Sequence, residues 1–257
     1  MAKNTKLEKP PGSQGAITVT RGTRDQALEI IFRTAVEDDE GWRHGVLGAP
    51  RYGKTYHLKD VAEQSEARGL SELTLIHDCK RLDVQYEGAV RVDVEDLAAR
   101  PLTEEDGATI VFHGNPAAGK KCSVEAVAAL GLRQGRQGTS TAVLIDELMH
   151  GCKSRQTWGD PATGESTGSF GEVLREGSSQ RVSSAWTTQI PQTVPTEGLD
   201  CTESVAFFHL NGRCLRYVAK MFEMTPQMVD VIANLKRGEF LLVTIHDDWD
   251  GVIYGPK

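Results

Sequence analysis

The sequence predicts an α/β fold with a mostly parallel central sheet, on three observations. Short apolar runs recur along the chain at residues 45–47, 73–76, 108–112, 141–145, 182–188, 205–208 and 240–244. These runs are continuously apolar rather than alternating, as expected of strands covered on both faces. Helix-compatible stretches at residues 54–66, 124–132, 169–176 and 225–235 separate several of them, which implies crossover connections between parallel strands. The length of 257 residues, with 39% hydrophobic and 25% charged residues, is enough for one well-buried core.

Taken in order, residues 1–16 read as a flexible tail. Lys3, Lys6 and Lys9 stand among polar residues, and Pro10, Pro11 and Gly12 break any periodic pattern. No apolar core of a secretion signal is present there, so a cytoplasmic location is the expectation. Residues 17–257 read as a single domain. Thr23 and Gln26 have the spacing of a capping box, and Leu28, Ile31, Phe32 and Ala35 follow at helical spacing, which predicts a helix to about Val36. The acidic run Glu37-Asp38-Asp39-Glu40 reads as a solvated turn. Residues 86–94 form an insertion that the pattern does not place. No apolar run approaches the ~20 residues of a membrane helix. Cys79, Cys122, Cys152, Cys201 and Cys214 are an odd number without a C-x-x-C pair, which excludes a disulfide framework or zinc knuckle and leaves them as buried small hydrophobes.

The chemistry is concentrated in Gly48-Ala49-Pro50-Arg51-Tyr52-Gly53-Lys54-Thr55, which matches G-x-x-x-x-G-K-[ST] at every defined position. An apolar strand precedes it and the helix-compatible stretch at residues 54–66 follows; Tyr56, directly after the loop, is a further candidate for ATP binding. Such a loop wraps a polyphosphate with successive backbone N–H groups while the next helix aims its positive end at the same anion. Gly53 permits close backbone approach, Lys54 supplies charge to the β- and γ-phosphates, and the Thr55 hydroxyl binds Mg²⁺. ATP with Mg²⁺ is therefore the expected ligand. Arg51 and Tyr52 stand where small residues are common; they either contact the nucleotide or cover the loop. A second stretch, Gly114-Asn115-Pro116-Ala117-Ala118-Gly119-Lys120-Lys121, has the glycine spacing but Lys121 in place of the metal-binding hydroxyl, and reads as a turn.

About 90 residues beyond the loop, Ala142-Val143-Leu144-Ile145 ends in Asp146-Glu147. Asp146 is placed to hold the magnesium through water and Glu147 to act as general base on an attacking water, which points to hydrolysis. The next strand ends in Gln189, an amide able to position that water or to sense the γ-phosphate.

With these motifs the chain resembles the FtsK/HerA class of ring-forming, RecA-like P-loop motor ATPases over most of residues 45–243. The resemblance also rests on Leu174-Arg175-Glu176-Gly177, leading through Arg181 into Ala185-Trp186-Thr187-Thr188-Gln189-Ile190-Pro191, and on Leu235-Lys236-Arg237-Gly238-Glu239-Phe240. It departs from the class at Ser178-Ser179, where a second Arg is typical, and at Arg51-Tyr52. The resemblance implies a three-layer α/β/α fold with a C-terminal hairpin, Gln189 as sensor, and an arginine finger reaching the neighbouring subunit's nucleotide, with Arg175 preferred over Arg181. It further implies a homo-oligomeric ring, expected as a hexamer, that moves double-stranded DNA and works with a capsid, portal or transfer-complex protein. Compact viral genome-packaging and mobile-element transfer motors match its economy. Gly53-Lys54-Thr55-Tyr56 also resembles the loop of phage-morphogenesis ATPases of the zonular occludens toxin type. An assembly ATPase that does not translocate DNA and a small-molecule kinase stand as the alternative readings.

The formal charge of −7 argues against a basic coat for nucleic acid, though a small basic patch facing a channel is compatible with it. Candidates for such contacts are the loop at residues 152–169, with Lys153 and Arg155, and the cluster Arg213, Arg216 and Lys220; an ordinary surface loop and a solvated helix face are their default readings. Asp247, Asp248 and Asp250 before Gly251 read as a turn.

Overall fold

The computed structural model describes residues 5–8, 16–78, 89–92, 108–113, 124–154, 157–158, 168–244 and 252–254. The elements run β1 (Thr5–Glu8), β2 (Ala16–Arg21), α1 (Arg24–Ile31), α2 (Arg33–Asp38), β3 (Arg43–Leu47), α3 (Lys54–Ala67), β4 (Leu73–Asp78), β5 (Val90–Val92) and β6 (Thr109–His113). They continue with α4 (Val124–Arg136), β7 (Thr141–Asp146), β8 (Cys152–Ser154), β9 (Thr157–Trp158), α5 (Ser169–Glu176), β10 (Val182–Thr188) and α6 (Thr196–Asp200). The last are β11 (Ser204–Phe208), α7 (Gly212–Met221), α8 (Pro226–Asn234), β12 (Phe240–Thr244) and β13 (Val252–Tyr254).

Seven parallel strands in the order β11-β3-β10-β7-β4-β6-β5 form the centre of the sheet. β12 and β13 extend it antiparallel beyond β11, and β2 and β1 complete that edge. The predicted α/β class and the C-terminal hairpin are thus present. Thr5–Glu8 lies within the segment read as a tail and forms the outermost strand. Val90–Val92, from the unplaced insertion, forms the opposite edge.

The apolar runs are continuous because each strand feeds two cores. Leu75, Val143, Ile145, Val205 and Phe207 join one cluster, with Val127 of α4, Val173 and Leu174 of α5 and Val218 of α7. Ile76, Ala142, Leu144, Ala206 and Phe208 point the other way, to Leu28 and Ile31 of α1 and Leu58 and Val61 of α3. Alternate residues of one strand face opposite sides of the sheet, so a sheet sandwiched between helix layers needs apolar residues at every position. The three-layer arrangement follows. Burial of large side chains such as Trp186, Phe170 and Phe207, each fully buried, contributes about 1.5–3 kcal/mol apiece.

Local signals placed some elements well. Thr23 accepts from Gln26 N–H and the Gln26 side chain accepts from Thr23 N–H, the capping box expected at the start of α1. The predicted single helix to Val36 is instead two, broken at Phe32, which turns out of helical geometry (φ −96°, ψ 9°). Phe32 is fully buried edge-on against Trp42, and the break lets it reach that partner. Cys201 and Cys214 are half-buried free thiols packed against the core, less enclosed than the sequence suggested. The second glycine-lysine loop at residues 114–121, most of the loop at residues 152–169 and the aspartates Asp247, Asp248 and Asp250 lie outside the described residues. Among the described residues, no helix is long and apolar enough to cross a membrane.

Candidate nucleotide-binding site

The loop at residues 48–53 joins the end of β3 to α3 at the centre of the sheet. Gly48 N–H donates to Thr188 O (3.2 Å) and Ala49 N–H to His209 O (2.8 Å), so the loop is tied to the ends of both neighbouring strands. A Cβ on Gly48 would fall 2.5 Å from Cβ of Phe208, a contact only glycine avoids. Gly53 caps α3 with φ +112°, a conformation that excludes ordinary side chains. Unlike α1, α3 has no capping side chain at its start. Its first N–H groups are therefore directed at whatever anion the loop holds.

Lys54 is buried (5% exposed), and its Nζ donates to Ala49 O at 3.0 Å, folded over the loop it is expected to serve. Arg51 and Tyr52 take different roles in the structure. Arg51, with φ +67°, is exposed and lines the cavity beside the loop. Tyr52 stacks on His209, with ring centroids 4.6 Å apart, and its carbonyl accepts from Gly238 N–H at 3.0 Å, which makes it a cover for the loop. The cavity measures about 990 Å³, at the upper end of small-molecule sites. Pro50, Arg51, Gly53, Lys54, Thr55 and Tyr56 line one side, and Gln189, Arg237 and Phe240 the other.

The acidic strand end meets this loop from β7. Thr55 Oγ1 donates to Asp146 Oδ2 at 3.2 Å. Thr187, on the neighbouring strand β10, donates to Asp146 Oδ1 at 2.8 Å and accepts from Glu147 N–H at 2.9 Å. Glu147 is 4% exposed and has φ +71°, a left-handed conformation that costs a non-glycine residue on the order of 1–3 kcal/mol and turns the chain sharply at the end of β7. Its Oε1 accepts from the Thr188 hydroxyl (3.2 Å) and from Gln189 N–H (3.1 Å); its Oε2 is buried without a hydrogen-bond partner. Two adjacent strand ends thus bring Asp146, Glu147 and Gln189 against Thr55 and Lys54.

The donor set suits magnesium. Thr55 Oγ1 and the Asp146 carboxylate are hard oxygen donors, and the 3.2 Å hydrogen bond between them brings both to one place beside the loop. Phosphate oxygens held by the same loop would complete a magnesium shell.

Arg175 lies elsewhere. Leu174 O accepts from Arg43 Nη1 at 3.0 Å, and Arg43 begins β3, whereas the phosphate loop follows its end. A five-residue strand spans about 13 Å, so Arg175 stands by the opposite ends of the strands from its own chain's loop. There it pairs with Glu197, whose hydrogen bond raises the guanidinium pKa further. Arg181 is at the same end, just before β10, paired with Asp39.

Sequence reasoning missed several residues. Thr187 and Thr188 hold the two carboxylates, although they stand in plain view before Gln189. Asp78 ends β4 in register with Asp146 and is 1% exposed. Its apolar-run-then-acid signal, Leu75-Ile76-His77-Asp78, is the same one that marked Asp146. Beneath α3, His57 Nε2 and His44 Nε2 lie 2.9 Å apart, and His44 Nδ1 lies 2.8 Å from Ser204 Oγ. Burial holds both imidazoles below the usual histidine pKa, His57 at about 3.

No family model matches the sequence, and no curated protein does so. Solved structures do match. The genome packaging NTPase B204 from Sulfolobus turreted icosahedral virus 2, in complex with sulfate, superposes with a TM-score of 0.63 at 14% identity, over 84% of this chain and 96% of that one. The same protein has been solved with AMPPCP and with ATP-gammaS. VirB4 of Thermoanaerobacter pseudethanolicus gives a TM-score of 0.62 at 13% identity, over 99% of this chain and 97% of that one. The bacterial conjugative coupling protein TrwB gives 0.57 at 9% identity, over 84% of each chain. At 9–14% identity, the chain shares with these structures one α/β fold built on a mostly parallel sheet.

Proposed function

We propose that the protein hydrolyses ATP with Mg²⁺ in a ring of identical subunits and uses the energy to move double-stranded DNA, as a genome-packaging or DNA-transfer motor. The observation that carries the hydrolytic part is the convergence of Lys54 and Thr55 with Asp146, Glu147 and Gln189 at one end of the sheet. On binding, Lys54 leaves Ala49 O for the β- and γ-phosphates, while the N–H groups at the start of α3 hold the same anion. Thr55, with Asp146 acting through water, would hold the magnesium, which would supply positive charge to the phosphate oxygens. Gln189 orients a water in line with the γ-phosphorus. As the water oxygen bonds to phosphorus, Glu147 takes its proton on Oε2, the oxygen left without a partner, and the bond from phosphorus to the β–γ bridging oxygen breaks to give ADP and phosphate. Arg175, too far from its own loop to act there, serves the nucleotide of the neighbouring subunit in this reading, which makes hydrolysis depend on assembly.

The translocating part is supported by the likeness to a virus genome-packaging NTPase and a conjugative coupling protein. The test is the ATPase rate measured across protein concentration, with and without duplex DNA. The motor reading expects the specific rate to rise with both. A rate that ignores DNA but still rises with protein concentration would favour the assembly ATPase, and a rate flat in both would sink the ring.

A further inference from the structure

The described surface carries a second feature that the nucleotide site does not use. Helix α7 buries Leu215 and Val218 in the core and turns Arg213, Arg216 and Lys220 outward, all three exposed. The spacing of three and four residues puts them along one face. Several other arginines are paired: Arg21 with Glu239, Arg24 with Asp60, Arg43 with Glu203 and Arg136 with Glu172. Among the described residues no carboxylate lies within ion-pair distance of Arg213, Arg216 or Lys220, and α7 itself contains no acid; Glu223, just past its end, is the nearest in sequence. In a chain of net charge −7, an uncompensated row of three cations marks a place where charge is met from outside.

We propose that this face of α7 grips the phosphate backbone of duplex DNA. The proposal rests on the motor reading and supplies the contact surface that reading lacks. From Arg213 to Lys220 the helix rises about 10.5 Å, so the three cations present positive charge along that length, as a backbone carrying one phosphate per ~3.4 Å of axis on each strand can use. The face has no apolar centre of the kind that a protein partner requires: the exposed large hydrophobics among the described residues are Val36, Tyr56 and Ile190, none on α7. Backbone contacts of this kind carry no base information, so the grip is indifferent to sequence.

The first turn of α7 is also fastened to the segment that leaves the sensor strand. The Gln192 side-chain amide donates to Arg213 O at 3.2 Å, and Cys214 Sγ contacts Gln189 O at 3.8 Å and Gln192 Oε1 at 3.6 Å. Gln189 lines the nucleotide cavity. A displacement of Gln189 at the γ-phosphate is therefore passed through residues 189–192 to the cations of α7, which couples the nucleotide to the grip.

The test is binding of a labelled, mixed-sequence DNA duplex to the full chain with a non-hydrolysable ATP analogue, titrated over a range of salt. The variants are Arg213→Ala/Arg216→Ala/Lys220→Ala and Arg213→Lys/Arg216→Lys. The triple alanine variant should bind at least about tenfold more weakly, with the slope of log K against log[salt] reduced by about 2.7, at ~0.9 per phosphate contact. The lysine variant should bind nearly as wild type, and DNA-free ATP hydrolysis should be unchanged in both. Wild-type affinity and slope in the alanine variant would overturn the α7 surface while leaving the motor reading standing. Preference of the wild type for an RNA duplex or an acidic protein would overturn the choice of partner. A wild type that hydrolyses ATP but neither binds DNA nor responds to it would overturn the motor reading and this proposal together.

Discussion

The hydroxyl of Thr188 donates to Oε1 of Glu147 at 3.2 Å, beside the Gln189 N–H that donates to the same oxygen at 3.1 Å. The strand end that presents Gln189 to the cavity thereby also sets the orientation of the carboxylate. A hydrogen bond to a charged group is worth about 1.5–3 kcal/mol. Thr188→Val is expected to lower kcat for ATP hydrolysis by about tenfold or more while leaving KM near wild type, and Thr188→Ser to restore most of it. Steady-state kinetics on the three proteins reads this directly. A rise in KM at constant kcat would place Thr188 in nucleotide binding instead.

Two glycine-lysine loops compete for the nucleotide in the sequence, and the loop at residues 48–55 has a buried lysine and a hydroxyl bonded to Asp146. Lys54→Ala should abolish binding of a fluorescent ATP analogue, whereas Lys120→Ala should bind it as the wild type does. The reverse pattern would move the site to residues 114–121.

Arg175 pairs with Glu197 by the strand ends opposite its own loop, so its effect on hydrolysis should be felt only in assemblies. Glu147→Gln is expected to bind ATP normally and to lose hydrolysis by about 10²–10⁴-fold. Arg175→Ala subunits should be similarly inactive alone. Mixing the two inactive variants should recover part of the activity, because some interfaces then pair an intact Glu147 with an intact neighbouring Arg175. No recovery on mixing, at concentrations where the rings form, would remove Arg175 from the trans role.

The His44–His57 pair under α3 makes stability depend on acid in a particular window. Burial lowers the His57 pKa from 6.5 to about 3, and His44 is lowered by burial and by His57. Both are neutral in the folded protein at pH values where the unfolded chain takes up protons. Their contribution is complete above pH 6.5 and is lost as pH falls towards 3, at up to about 1.4 kcal/mol per pH unit for each group. Between pH 6.5 and 5, above the usual carboxylate range, the urea midpoint of the wild type should fall. His57→Gln, which keeps an amide near His44, should show a shallower fall; identical slopes would exclude the pair as the cause.

The sequence by itself determined what depends on neighbouring residues. The phosphate loop, its strand and its helix are contiguous, so Gly48, Gly53, Lys54 and Thr55 could be read without the fold. The continuous apolar strands announced a sheet covered on both faces, and Asp146-Glu147 and Gln189 announced themselves as polar residues at the ends of such strands. Boundaries fared worse where a distant partner intervened, as at Phe32, which breaks its helix to pack on Trp42.

Only the tertiary structure decided which strand ends meet. That β10 lies between β3 and β7 makes Thr187 and Thr188 partners of Asp146 and Glu147, residues some 40 positions away. The same strand order puts Arg175 by the opposite strand ends from Lys54, and the fastening of α7 to residues 189–192 sets three helix cations in a row beside that segment. Strand order is set by the summed packing of two cores, not by any local signal. The sequence therefore carries the loop in its letters and the relations around it only in the fold.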